Sequence, residues 1–93
     1  MYGVNVPKGF QVVEIKRGIQ MKEYDNSIKR VNVVFMKSTK DNSLFKVDVI
    51  EHPKDKAKTT IQMGCGEDLF THLKKIFSKK NVTRAEIDNA LMH

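Results

Sequence analysis

Few side chains in this 93-residue chain could do chemistry, and their spacing argues against most of it. The bases are His52, His72 and His93. His93 is the last residue, His72 lies on a helical pattern beside its apolar stripe, and His52 precedes Pro53 at the mouth of a turn. Glu51-His52 does not make a metal pair, because neighbours on a strand point to opposite faces. Gly64-Cys65-Gly66 joins a strand pattern to a helical one and has the look of a phosphate cradle. It lacks the lysine and Ser/Thr of a P-loop and the glycine count of a dinucleotide fingerprint. Glu67 and Asp68 follow at once, where they offer negative charge to the free N–H groups of the first helical turn. A phosphate there would face two carboxylates, each costing on the order of 3 kcal/mol at ~5 Å and an effective dielectric of ~20. The same carboxylates oppose a Cys65 thiolate. The expectation is no catalytic residue, no metal, no cofactor and no enzyme.

One cysteine excludes an intrachain disulfide and a cysteine zinc site, and fits a reducing compartment. The first residues carry neither the basic head nor the apolar run of a signal peptide, and no stretch reaches the ~18 apolar residues of a membrane span. The expected setting is the cytoplasm, or a host cytoplasm for a viral protein, with no membrane partner. Lys and Arg number 17 against 11 Asp and Glu, a net +6. That excess points to an anionic partner or to a lysine-rich solvated surface.

The elements that position these residues follow from periodicity. Residues 1–9 read as an irregular arm with breakers Gly3, Pro7 and Gly9. "FQVVEIKR" alternates, with Val13 and Ile15 expected inward and Glu14 and Lys16 outward; Gly18 interrupts it, and "IQM" continues it after a bulge. Lys22 to Ser27 is a turn. In "IKRVNVVFMKS", Val31, Val33 and Phe35 share one face and Arg30, Asn32, Val34 and Met36 the other. Thr39 to Ser43 is a hairpin loop. "LFKVDVIEH" sets Phe45, Val47 and Val49 against Lys46 and Asp48. Pro53 to Lys58 is a basic loop, and "TTIQM" turns Ile61 and Met63 inward, Thr60 and Gln62 outward. Connections this short join antiparallel strands.

From Glu67 the period becomes helical, with Leu69, Phe70, Leu73, Ile76 and Phe77 on one stripe. "SKKN" separates a last helix, which Thr83-Arg84-Ala85-Glu86 opens as a capping box and to which Ile87, Ala90 and Leu91 give an apolar side. The expected fold is α+β and a single domain over 1–93: an antiparallel meander of three to five strands, one face covered by the amphipathic C-terminal helix, plus the short final helix. A core this small is marginal alone, which makes a homodimer a reasonable expectation.

The outward face of the sheet is then the candidate surface. It carries Lys16, Arg30 and Lys46, with Lys54, Lys56 and Lys58 from the basic loop, and two apolar residues, Val34 and Met36. Cations beside apolar positions on an open sheet suit single-stranded DNA or RNA: phosphates pair with the cations and bases rest on the apolar groups. Val34 and Met36 equally suit a dimer seam or protein contact, as does the apolar edge at Leu91 and Met92. The alternative reading is therefore a small viral or mobile-element accessory protein that binds an acidic host protein and inhibits or redirects it.

The stretch "FKVDVIEHPKDKAKTTIQMGCGEDLFTHLKKIF", within residues 28–77, resembles the transcriptional coactivator family called positive cofactor four. Shared are an alternating strand, a polar basic loop, a short strand ending near a turn, and a helix with Phe70, Leu73 and Ile76 at the family's aromatic and aliphatic positions, Ile61 standing in the short strand. The chain departs in having Gly-Cys-Gly where the family has a proline-containing helix start, phenylalanine for tryptophan at position 70, and an extra helix from Thr83. The resemblance implies a curved antiparallel sheet, dimerisation through the helix, single-stranded DNA bound on the sheet and a role in transcription regulation. Arg30, Lys46 and Lys58 are the backbone contacts it implies.

Overall fold

In the computed structural model, residues 6–51 and 58–92 are described, with backbone alone over residues 58–62. The elements run β1 (Phe10–Lys22), β2 (Ile28–Ser38), β3 (Phe45–Glu51), β4 (Lys58–Cys65), α1 (Glu67–Ile76), β5 (Asn81–Thr83) and α2 (Arg84–Leu91). The class is mixed α and β: one five-stranded curled sheet in the order β4-β3-β2-β1-β5, with two short helices.

β1 to β4 form an antiparallel meander, as their short connections require. Turn chemistry sets the corners. After β1, Asn26 takes a left-handed φ of 70°, and the Glu23 N–H donates to the Ser27 carbonyl at 2.8 Å. After β2, the Ser38 hydroxyl accepts from the N–H groups of Lys40 (3.1 Å) and Asp41 (3.0 Å), while the Ser38 N–H closes on the Leu44 carbonyl. The segment around Asn81, read as a plain linker, is instead a strand of three residues parallel to β1. Nothing in "SKKNVT" alternates long enough to announce it; the long β1 edge supplies the pairing.

β1 departs from the expected alternation. Register shifts fall between Val12 and Glu14 and between Lys16 and Ile19. Each bulge adds a residue and turns the following side chains to the other face. Val13, expected inward, is therefore the exposed extra residue of the first bulge. Glu14 and Lys16 stand opposite Phe35 and Val33, on the face expected for Val13. Gly18, at φ +68°, carries the second bulge.

The inner face holds one cluster: Ile19 and Met21 from β1, Val31, Val33 and Phe35 from β2, Phe45, Val47 and Val49 from β3, Val82 from β5. Phe70, Leu73 and Phe77 join it from α1 and its C-cap, and Ile87 and Ala90 from α2. Phe35 sits at the centre, edge-on to Phe70 at 5.6 Å and to Phe77 at 6.3 Å between ring centres.

Only Gly66 separates β4 from α1, and it caps the helix with φ −84° and no side-chain bond. The reversal is thus made without left-handed backbone, with Glu67 and Asp68 in the first turn and Lys74 and Lys75 in the last. α2 begins at Thr83, whose hydroxyl accepts from the Glu86 N–H at 3.2 Å. An ionic set ties α2 to the first hairpin: Arg84 reaches Glu23 at 3.4 Å, Glu23 also holds Lys29 at 3.2 Å, and the Tyr24 hydroxyl donates to Asp88 at 2.6 Å.

Candidate nucleic-acid interface

The outer face is not uniformly open. Val34 and Met36, expected as an exposed patch, are fully buried, and Ile50 nearly so. They form a second small cluster against which Phe10 and Ile15 pack from β1. The first bulge explains part of this: it flips the alternation after Val12 and moves Ile15 opposite Val34 on the outer face, where Val12, ahead of the bulge, already stands opposite Met36. Val34 and Met36 are thus corrected from candidate partner surface to a second core.

Asp48 belongs to the same region. It opposes Val34 on one side and Gln62 on the other, is 5% exposed, and its Oδ1 has no hydrogen-bond partner among the described residues. Burial pushes its carboxyl above the usual range, with nearby Lys46 pulling weakly the other way. Lys46 is half-buried, with its ammonium 5.9 Å from the centre of the Phe10 ring.

The sequence-expected cations are consequently scattered. Lys16 does not share a face with Arg30 and Lys46; it stands across from Val33 and pairs with Glu14 at 3.2 Å. Glu14 is bridged a second time by Lys74 of α1 at 3.5 Å, and the two ammoniums hold its carboxyl below the ordinary range. Lys54 and Lys56 lie outside the described residues, as do the Lys58 side chain, His52 and His93. His72 is exposed on α1. Leu91 and Met92 are exposed at the end of α2. Cys65 is half-buried, packs against the inner cluster, and burial pushes its thiol up.

Among the described residues, the outer face exposes a second region over β5, β1 and β2. Gln20 opposes Arg30, Lys22 opposes Ile28, and Asn81 opposes Gln20. All five are exposed, Ile28 to 63%. Lys22 and Arg30 are diagonal neighbours across the ladder, roughly 7–8 Å apart at their backbones by the usual strand spacing. Neither makes an ion pair among the described residues, whereas Lys16, Lys29, Lys74, Lys79 and Arg84 all do. Beside them a cleft of about 160 Å³ is lined by Gln20, Lys22, Ile28, Asn81, Val82 and Thr83. Arg17, exposed in the second bulge, and Lys80, whose ammonium donates to the Arg17 carbonyl, extend the cationic edge. No carboxylate occupies these positions.

Lys22, Arg17 and Lys80 were not singled out from the sequence. Lys22 reads as a turn residue until the length of β1 is known, and the other two meet only through the parallel pairing of β5. Among the described residues no group of His, Cys, Asp and Glu is placed to hold a metal ion, and no helix is long and apolar enough to cross a membrane. No family model, curated protein or solved structure matches the chain.

Proposed function

We propose that this protein is a non-enzymatic binder of single-stranded DNA or RNA, acting in transcription or replication regulation. The contact surface is the exposed half of the outer sheet face, with α1 as the amphipathic backing of the opposite face. The observation that carries this reading is the diagonal placement of Arg30 and Lys22: two exposed cations, without carboxylate partners among the described residues, on one face of the ladder beside the exposed Ile28. Phosphates spaced along a strand can pair with such a row, Arg17 and Lys80 continuing it, while Gln20 and Asn81 meet polar groups and Ile28 meets a base face. Meander, then helix, over residues 28–77 is also the element order that the resemblance to the positive cofactor four family implies, and that resemblance supports the reading.

The surface differs from the sequence expectation in its centre of gravity. Arg30 remains; Lys46 sits at the border of the buried cluster; Val34 and Met36 are replaced as the apolar element by Ile28. A labelled single-stranded oligonucleotide titrated at several salt concentrations tests the proposal. Binding is expected to weaken linearly on a log–log plot, and Arg30→Glu with Lys22→Glu to lower affinity and flatten the slope by roughly one to two. Absence of binding at low salt, or binding indifferent to salt, would sink it.

A further inference from the structure

On the other side of the molecule, at the end of the sheet where β2 leaves and β3 begins, lies an open groove of about 480 Å³ between that end and α1. Its rim carries Lys37 from β2 and Lys74 and Lys75 from α1, with Glu67 the one carboxylate, and its floor is Phe45 and Phe70. Lys37 and Lys75 make no ion pair among the described residues; Lys74 is shared with Glu14 and lies 5.7 Å from the centre of the Phe70 ring.

We propose that this groove binds an acidic segment of a partner protein, one that alternates carboxylate and aliphatic side chains. This partner is separate from the nucleic acid of the outer face. Three ammoniums around one carboxylate select an anion. The rings decide which kind. Phe45 and Phe70 stack on each other at 4.5 Å with a tilt of 32°, Phe35 meets Phe70 edge-on, and the Lys74 ammonium takes up a further approach. Both rings are almost completely buried, so no ring face is left for a nucleobase to stack on. An aliphatic side chain needs only the small ring surface that stays exposed, and its flanking carboxylates then reach the lysines. An extended segment fits because the groove is open to solvent and its lysines sit on two different elements.

The experiment uses the intact protein and a short fluorescent peptide alternating glutamate and leucine, with a lysine–leucine peptide as control. Amide shifts in nitrogen-edited NMR spectra locate the contact, and anisotropy measures affinity. Glutamate–leucine peptide is expected to move the amides of Lys37, Thr71 and Lys75. Lys37→Glu with Lys75→Glu is expected to weaken it at least about tenfold, the scale of two lost surface ion pairs. Arg30→Glu with Lys22→Glu is expected to leave it unchanged. Lys37→Gln with Lys75→Gln, a milder change, gives a smaller loss in the same direction and serves if the reversal impairs folding. Equal binding of the lysine–leucine peptide, shifts elsewhere, or unchanged affinity in both lysine variants overturns the proposal. So does a single-stranded oligonucleotide that moves these same amides and displaces the peptide.

Discussion

Asp48 of β3 stands directly across the ladder from Val34 of β2, with its Oδ1 buried and without a hydrogen-bond partner among the described residues, on a face whose neighbouring residues Met36 and Ile50 are apolar and buried. A charge held there is disfavoured in the folded state, and the raised carboxyl follows from that burial. The folded protein thus holds this proton more tightly than the unfolded chain. Its cost is absent below the unfolded value, near pH 4, and grows as pH rises through the folded one. Asp48→Asn removes the charge at the same volume. It is expected to raise stability at neutral pH, because the buried charge is gone, with the gain vanishing below about pH 4. Urea melts at pH 7 and pH 3.5 measure both. A loss of stability at pH 7 would show that the carboxylate has an unseen favourable role.

Phe35 is the keystone of the inner cluster, because its ring packs edge-on to both Phe70 and Phe77 across the sheet–helix boundary. Phe35→Ala is expected to cost about 3–5 kcal/mol, a large share of what a chain of this size has. Phe35→Leu keeps most of the volume and is expected to fold with a lower urea midpoint. If alanine is tolerated with a midpoint near wild type, the helix–sheet packing described above is wrong.

Gly18 adopts φ +68° in the second bulge, and a Cβ built there meets nothing within 4 Å. The penalty for Gly18→Ala is therefore backbone strain without steric clash, roughly 1–2 kcal/mol. Gly18→Asn, which tolerates the left-handed region better, is expected to cost less. Thermal melts of the two variants rank them, and the reverse order would remove the bulge from the account.

Thr83 ends β5 and caps α2 with one hydroxyl. Thr83→Ala is expected to destabilise by about 1 kcal/mol, and Thr83→Ser to recover most of it. Hydrogen exchange at the Glu86 amide gives a local readout, since that N–H loses its acceptor only in the alanine variant.

Glu86 is held below its usual range chiefly by the Lys79 ammonium, and Glu14 chiefly by Lys16. Lowered carboxyl values favour the folded state above the unfolded value and lose that support as pH falls through the folded one. Glu86→Gln with Glu14→Gln is expected to flatten the acid side of the stability curve, opposite in sense to the Asp48 effect. An unchanged acid limb in this double variant would show these exposed pairs to be worth nothing.

Much of this protein was open to local reading. Alternation over "VNVVF" and "FKVDV" fixes which side chains of β2 and β3 share a face. The stripe of Leu69, Phe70, Leu73, Ile76 and Phe77 marks α1. Thr83 with Glu86 marks the start of α2. These properties depend on neighbours two to four residues away, so the chain states them by itself. Where β1 bulges, which strand β5 joins, and that Val34, Met36 and Ile50 are shielded with Phe10 and Ile15 depend on register between segments far apart in sequence. A single extra residue there inverts a whole face, and no local pattern records it. The same is true of charge: composition supplies a surplus of lysine, but only folding decides that Glu14, Glu23, Glu86 and Asp88 spend themselves on Lys16, Lys29, Lys79 and Arg84, leaving Lys22, Arg30, Lys37 and Lys75 without carboxylate partners among the described residues.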